Sequence, residues 1–396
     1  MNGIETECSP SRQHHPKRPD RVMHMSQPVD GGTATVVADL AKVDLAQGRS
    51  VTIVSPPGQL EQWALEHPVA WVNLPLVRNP SYRDLTAIRT VRKLLFEVDL
   101  ACLHSSKAGA IGRVAMSTIQ RSERPKCVFY PHAWSWYVGG STAILYRAFE
   151  RRAARWADAI VAVSHREVED GRRLLSPGDA TKIVLIENGV DTVAYSPEGA
   201  AAPRGDDPLV VCVGRLCRQK GQDALIRAMG MLEDRSVRLS LVGEGPDEEK
   251  LRRLADEYGL ADRVAFVGSA DPRPYYRAAD VVVIPSRWEG LPLVLLEAMA
   301  CGGAVLATRA AAANLSDDSG IISSENTEPE VLARDLTAML REGALLDGYR
   351  DRARRTAEKS YSERRVADLY DALVGSLLTN DRSIDSEEVA PGGGPG

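Results

Sequence analysis

The chain has 396 residues, 44% of them hydrophobic and 26% charged, with a formal net charge of −5. At about 150 residues per domain this is room for two to three domains, and the balance excludes a largely disordered chain, a collagen-like fibre and a disulfide-dense mini-protein. No apolar run approaches the roughly 18 residues of a membrane-spanning helix, and the polar start, with His14, His15, Lys17 and Arg18, lacks the apolar core of a secretory signal, so a cytoplasmic protein is expected.

Taken in chain order, residues 1–19 read as a disordered segment. Arg21–Ser26 is a strand, and Gly31-Gly32 opens a helix through about Gln47. Val51–Ser55 and Leu100–His104 are further strands, the second followed by a helix from Ala108. Cys127–Pro131 and Ala159–Val163 are strands with the helix Ala143–Trp156 between them, and Lys182–Glu187 closes the first half. Within 101–156 nine basic residues face two acids, although the second half of the chain is acidic. That stretch is either a solvated helix face or a surface for an anionic membrane or phosphate-bearing substrate. The overall acidity argues against a nucleic-acid binder.

The rhythm breaks at Asn188–Asp207, rich in Gly, Pro and Ala, which places a linker at 191–207. The alternation then resumes. Strands are expected at Leu209–Val213, Val237–Val242, Val264–Val267, Val281–Ile284 and Ala304–Thr308. Helices are expected at Gly221–Leu232, Asp247–Tyr258, Pro292–Ala300, near Thr327–Arg341 and near Glu363–Leu378. Residues 380–396 read as a disordered tail. The fold class is therefore α/β: two doubly wound, Rossmann-like parallel-sheet domains, at 20–190 and 208–362, facing across a cleft. None of the six cysteines forms a C-x-x-C pair, and buried reduced thiols are expected.

Three strand-to-helix turns of the second half carry the chemistry. In Gly214-Arg215-Leu216-Cys217-Arg218-Gln219-Lys220-Gly221, a glycine turns the backbone tightly and cations follow; Arg offers a planar fork for phosphate and Lys a compact charge. Gly243-Glu244-Gly245 is a second turn near the cleft floor. In Ser286 to Glu297, Pro292 is expected at the first helical position, so free amides over Gly290–Leu293, Leu291 included, can hold a diphosphate. Glu297, one turn in, can reach a polyol such as ribose, and Glu289 can face the sugar end of the same ligand.

Glu289-x7-Glu297, Gly214-Arg215-Leu216-x3-Lys220-Gly221 and the run Glu297 to Gly302 resemble retaining glycosyltransferases of family 4, which have the GT-B fold. Gly31-Gly32-Thr33, His104 to Gly109 and Tyr130 to Trp134 resemble members that build exopolysaccharide or lipid-linked glycans. The resemblance covers about 21–378, with two departures: Glu187-Asn188-Gly189 stands where Pro-Asn-Gly is usual, and the segment after Thr308 lacks the common glycine-rich form.

The resemblance implies that Arg215 and Lys220 hold the donor diphosphate, Glu297 the ribose and Glu289 the donor sugar, with His132 over that sugar. Gly31, Gly32, Gly214, Gly290, Leu291 and Leu293 would complete the donor site. Gly32, Thr33, His104, Lys107 and Trp134 would meet the acceptor, and the last helix would pack back on the first domain. The expected reaction moves a hexose, with retention, from a nucleotide diphosphate sugar to a hydroxyl of a glycan, glycolipid or lipid-linked acceptor. A uridine donor is favoured over a guanosine one. No Asp-x-Asp metal pair appears in the ordered region, so metal-independent transfer without a cofactor is expected, the cations and helix start neutralising the leaving group. Trp134, Trp136 and Tyr137 are either core or at the cleft mouth, where they would meet the inner membrane face. The rival readings are a non-catalytic nucleotide-sugar binder and a GT-B nucleotide-sugar epimerase; a nicotinamide oxidoreductase lacks its glycine fingerprint at Met23–Gly32.

Overall fold

Runs of Val, Ile and Leu four to six residues long are too short for buried helices, and they form strands. In a computed structural model of the chain, which describes residues 20–379 except Arg78 and Ser141, the first set is β1 Arg21–Ser26, β2 Ser50–Ser55, β3 Ala70–Asn73, β4 Leu100–His104, β5 Lys126–Tyr130, β6 Ala159–Ala162 and β7 Ile183–Leu185. The second set is β8 Leu209–Val213, β9 Arg238–Val242, β10 Val264–Gly268, β11 Val281–Ile284, β12 Val305–Thr308 and β13 Ile321–Ser324. The segments expected to be disordered, 1–19 and 380–396, lie outside the described residues.

The strands form two parallel sheets, in the orders β3-β2-β1-β4-β5-β6-β7 and β10-β9-β8-β11-β12-β13. β4 is buried at every position, as a central parallel strand covered on both faces must be. Strand order reverses between β1 and β4 and between β8 and β11, and in such sheets ligands gather outside the carboxyl ends of the strands at the reversal. Register makes those ends level: Ser26 lies opposite His104, and His104 opposite Tyr130.

Several elements differ from the sequence reading. β3 and β13 are edge strands with half-exposed positions, so neither carries a clean apolar run. The helix Gly343–Ser360 is rich in charge, and its buried stripe includes the alanines Ala353 and Ala357, a weak periodic signal. The helices Gln59–Leu65, Asp84–Leu95, His165–Leu174 and Arg273–Ala278 were also not expected. The helix expected from Ala108 begins at Ser105. Pro292 precedes its helix instead of opening it, because its extended ψ of 128° makes it the cap of Leu293–Ala300.

The segment without periodicity is nonetheless firmly held. Arg354 donates to the carbonyls of Thr192 and Tyr195, and Arg277 to those of Ala194, Ser196 and Ala200. Just before it, Val190 exchanges backbone hydrogen bonds with Tyr361 and Glu363, so the two passages of the chain between the domains run side by side. After the second passage, helix Glu363–Thr379 buries Tyr370, Leu373 and Val374 against Val22, Leu100, Val128 and Val161 of the first sheet. The described cysteines are free, and Cys102, Cys127, Cys212 and Cys301 are buried. No described helix is long and apolar enough to cross a membrane.

Candidate active site

After β8 the chain turns at Gly214 (φ 145°) and makes one 3-10 turn, Arg218–Lys220, that ends on Gly221 (φ 72°). Gly221 is required there twice over. Its φ is left-handed, and a Cβ would stand 1.9 Å from the carbonyl oxygen of Pro285. That close approach lays the turn against the end of β11. Gln219 donates to the Trp288 carbonyl at 3.0 Å, and Arg287 returns a backbone bond to Gln219 at 2.8 Å. Lys220 Nζ then lies 2.7 Å from Glu289 Oε1, although 69 residues separate them. Burial pulls the Lys220 pKa down, and the charge and hydrogen bond of Glu289 more than offset this, so it ends above the ordinary value. Arg215 is exposed, and no described carboxylate pairs with it.

Beyond β11, Gly290 and Leu291 lead into helix Leu293–Ala300. The amides of Leu293 and Val294 have no partner within the helix, leaving two donors at its positive end. Leu291 is buried, and its carbonyl accepts from Asn188 at 2.7 Å; the Gly290 carbonyl accepts from Asn314 at 2.7 Å. Ser286 Oγ and Asn314 Oδ1 are buried without a hydrogen-bond partner among the described residues, so spare polar capacity lies beside this loop. Burial raises the Glu297 pKa, against the Tyr276 hydroxyl, which donates to it at 2.8 Å, and Tyr195.

The first domain faces this loop. Gly31, with φ 69°, caps helix Gly32–Ala46, whose first turn holds half-buried Thr33. A Cβ on Gly32 would lie 3.5 Å from Leu293 Cδ1, so the glycine loop meets the start of the helix Leu293–Ala300 across the domains. His132 and Ala133, after β5, have φ of 48° and 78°, and Ser105, after β4, has 75°. Non-glycine residues in that region cost about 1–3 kcal/mol each and persist where neighbours enforce them, typically at functional sites. Here the enforcer is Glu167, which accepts from the Ala133 amide at 2.8 Å and the Val163 amide at 3.1 Å. A Cβ on Gly290 would stand 3.0 Å from Glu167 Oε1, so the same carboxylate borders both sides of the cleft. His132 is half-buried, and burial lowers its pKa to about 4.

Three residues expected at the acceptor lie elsewhere. Trp134 is 1% exposed; its indole N–H donates to the Glu167 carbonyl at 2.9 Å and its ring stacks on Trp136, so it is core and cannot meet an acceptor. His104 is fully buried, held between His24 and His132. The Lys107 ammonium is taken by Asp84 at 2.6 Å and the Asn79 carbonyl at 3.0 Å, which leaves its side chain 9% exposed and its charge spent inside the domain. Arg113, from the same basic stretch, is buried on Glu150.

Glu167, His24 and Asp44 were missed in the sequence. Ser164-His165-Arg166-Glu167 fits a helix capping box, and Ser164 does cap the Glu167 amide at 3.2 Å. The Glu167 carboxylate instead reaches the loop, which a local pattern cannot foretell. Two signals were available: a histidine inside the apolar strand Arg21–Ser26, and an aspartate on the inner face of an alanine-rich helix.

Burial, opposed by its two backbone bonds, raises Glu167 from an ordinary 4.5 to about 7. Between those values the folded protein binds a proton that the unfolded chain has released, so stability falls as pH rises through the window, by on the order of 3 kcal/mol. His132 contributes with the opposite sign below about 6.5. The expected result is that wild type loses stability relative to Glu167→Gln between about pH 5 and about pH 7.5 in urea titrations, since the His132 contribution is common to both.

Two family models match the chain, a glycosyl transferase 4-like domain over residues 31–189 and glycosyl transferases group 1 over residues 207–342. The chain is 37% identical to a GDP-mannose-dependent alpha-(1-6)-phosphatidylinositol monomannoside mannosyltransferase of Mycolicibacterium smegmatis, over 60% of this chain and 67% of that protein. It is 31% identical to the lipopolysaccharide core biosynthesis mannosyltransferase LpcC of Rhizobium leguminosarum, over 60% of this chain and 70% of that protein. Among solved structures, a sucrose-phosphate synthase from Thermosynechococcus elongatus aligns with a TM-score of 0.78 at 22% identity, over 91% of this chain and all of that one, a likeness of fold.

Proposed function

Because the chain belongs to family 4 of the glycosyltransferases, with the GT-B fold, we propose that this hexosyltransferase moves mannose from a guanosine diphosphate sugar to a hydroxyl of a glycolipid, with retention. The observation that carries the donor site is Lys220 held against Glu289 beside a helix start with two free amides, facing the strained His132 loop. The guanosine base rests on the named activity of the Mycolicibacterium relative, and it replaces the uridine expectation.

Each residue then has a task. Arg215, Lys220 and the amides of Leu293 and Val294 take the diphosphate, and Glu297 takes the ribose hydroxyls. Once phosphate engages Lys220, Glu289 is released to accept from a sugar hydroxyl. Gly31 and Gly32 let the backbone approach the ligand closely. The bond between the anomeric carbon and phosphate oxygen breaks while the acceptor oxygen bonds that carbon from the same face. The acceptor proton passes to the departing phosphate, which leaves as the nucleoside diphosphate. The growing negative charge meets fixed cations and dipoles without reorganisation.

The donor is tested by thermal shift with GDP, GDP-mannose, UDP and UDP-glucose. A ligand at 100 times its Kd stabilises by about 2.7 kcal/mol, so the guanosine compounds should raise Tm and the uridine ones leave it unchanged. The reverse order overturns the base.

For the acceptor we place the membrane surface on the helices Asp84–Leu95 and Ala143–Ala153, both packed on helix Ser105–Ser117. Leu85, Ile144 and Leu145 are at least 65% exposed, with Arg147 and Arg151 beside the last two. Apolar anchors among basic residues suit an anionic lipid surface. Sedimentation with phosphatidylglycerol vesicles at low salt should carry the protein down, and phosphatidylcholine vesicles should not. Equal binding to both removes this surface from the account.

A further inference from the structure

Behind His132 a file of polar side chains runs through the apolar core of the first domain. His132 Nε2 lies 3.1 Å from His104 Nδ1, His104 Nε2 lies 3.1 Å from His24 Nδ1, and His24 Nε2 lies 2.7 Å from Asp44 Oδ2. Asp44 also accepts from Arg49 at 2.9 Å and from the Tyr370 hydroxyl at 2.8 Å. His24, His104 and Asp44 are fully buried. Tyr130, whose hydroxyl is buried without a partner among the described residues, stacks on His104 with ring centroids 4.6 Å apart. Polar groups so placed are costly unless every one is satisfied, and a satisfied network fixes one arrangement.

The file has a direction. A carboxylate only accepts, so His24 Nε2 carries a proton. Arg49 already supplies Asp44 with a cation, and a second charge on His24 would face the buried His104 ring. Burial, with the neighbouring imidazoles, holds His104 well below its usual pKa, and burial holds His132 at about 4, so both are neutral at pH 7. A neutral imidazole has one N–H. His24 Nδ1 is then bare and accepts from His104 Nε2–H; His104 Nδ1 is bare in turn and accepts from His132 Nε2–H. No described residue hydrogen-bonds His132 Nδ1.

We propose that Asp44, His24 and His104 are positioning residues that lock His132 as the Nε2–H tautomer, so that its Nδ1 presents a lone pair to a hydroxyl of the donor sugar. The proposal rests on the reading of His132 as part of the donor site. It makes His132 an acceptor only: a donor sugar whose hydroxyl there is replaced by fluorine, itself able only to accept, loses this contact. The aspartate acts at a distance of three rings and touches no substrate.

The test uses the full chain with 15N-labelled histidine. Long-range 1H–15N correlation should show His24, His104 and His132 each with a protonated Nε2 and a bare Nδ1. Asp44→Asn, whose amide can donate to His24 Nε2, should turn the tautomers and lower kcat by about tenfold or more with the donor KM little changed. His104→Leu cuts the file and should lose as much. His104→Gln, which keeps one acceptor and one donor, should recover a large part of that loss, a rescue that restored packing alone does not give. A wild-type His132 protonated at Nδ1 overturns the proposal, as does Nε2–H retained in Asp44→Asn, or equal kcat for the Leu and Gln variants. Should the tautomers stand as described while no nucleotide sugar is turned over, the donor-site reading fails and the lock remains.

Discussion

Lys220→Ala is expected to lower kcat/KM for sugar transfer by about 10²–10³-fold, about 3 kcal/mol of transition-state stabilisation, on the scale of a lost preorganised donor at a developing oxyanion. Two effects act in the same direction. The cation proposed to meet the departing diphosphate is gone, and Glu289, whose side chain is 8% exposed, is left as an unpaired anion beside the proposed phosphate site. The pair therefore predicts a coupling: Lys220→Ala with Glu289→Gln should be less impaired in GDP binding than Lys220→Ala alone, because the second change removes the repulsion. Lys220→Arg should recover only part of the activity. Its fork is longer and planar, and the turn is fixed by Gly221 against Pro285 with no slack to reposition it. Steady-state transfer from GDP-mannose, together with nucleotide titrations by calorimetry, separates the two contributions. Unchanged kcat/KM in Lys220→Ala would remove this lysine from the mechanism.

The largest stability effect is expected at Glu150→Ala, about 3–5 kcal/mol, seen as a lower urea midpoint with an unchanged slope. Arg113 and Glu150 are 0% and 2% exposed at the side chain, 2.8 Å apart, and held as an ion pair by proximity more than by aligned hydrogen bonds. The Arg113 guanidinium also lies over the Phe129 ring, 3.7 Å from its centroid, and donates from Nε to the Gly109 carbonyl at 2.9 Å. Truncating Glu150 leaves that cation buried with no opposite charge, a cost far beyond that of losing the pair to apolar residues. Arg113→Met with Glu150→Leu should thus be closer to wild type than Glu150→Ala. Phe129 belongs to the strand that delivers His132, so activity should fall with the midpoint and return in the double variant.

The strands at Arg21–Ser26, Leu100–His104, Leu209–Val213 and Val281–Ile284 were legible to the residue, because a strand covered on both faces is a continuous apolar run. The edge strands β3 and β13 and the alanine-striped helix were not, since their burial depends on which neighbour lies alongside. The two turns proposed to hold the donor were legible as spacing: Gly214 to Gly221 and Glu289 to Glu297 each lie on one short segment. That Lys220 and Glu289 form a pair was not, because the contact is made by the folding of β8 against β11. Trp134 and Lys107 misled for a related reason. An aromatic or a lysine shows its type in the sequence and its environment only in the fold, here Trp136 for one and Asp84 for the other. The file of histidines is the extreme case: its members come from the interior of β1, the end of β4, the loop after β5 and a helix, with no local pattern joining them.

The side-by-side passage at Val190 and Ser362 has a mechanical result. A single tether would let the lobes tumble freely, whereas two cords joined in parallel at one rung restrict that motion. A protease nick between Glu198 and Asp206 would cut the chain into two fragments held together by the packing of helix Glu363–Thr379 on the first sheet, so they would migrate together on a sizing column without denaturant and separate after denaturation.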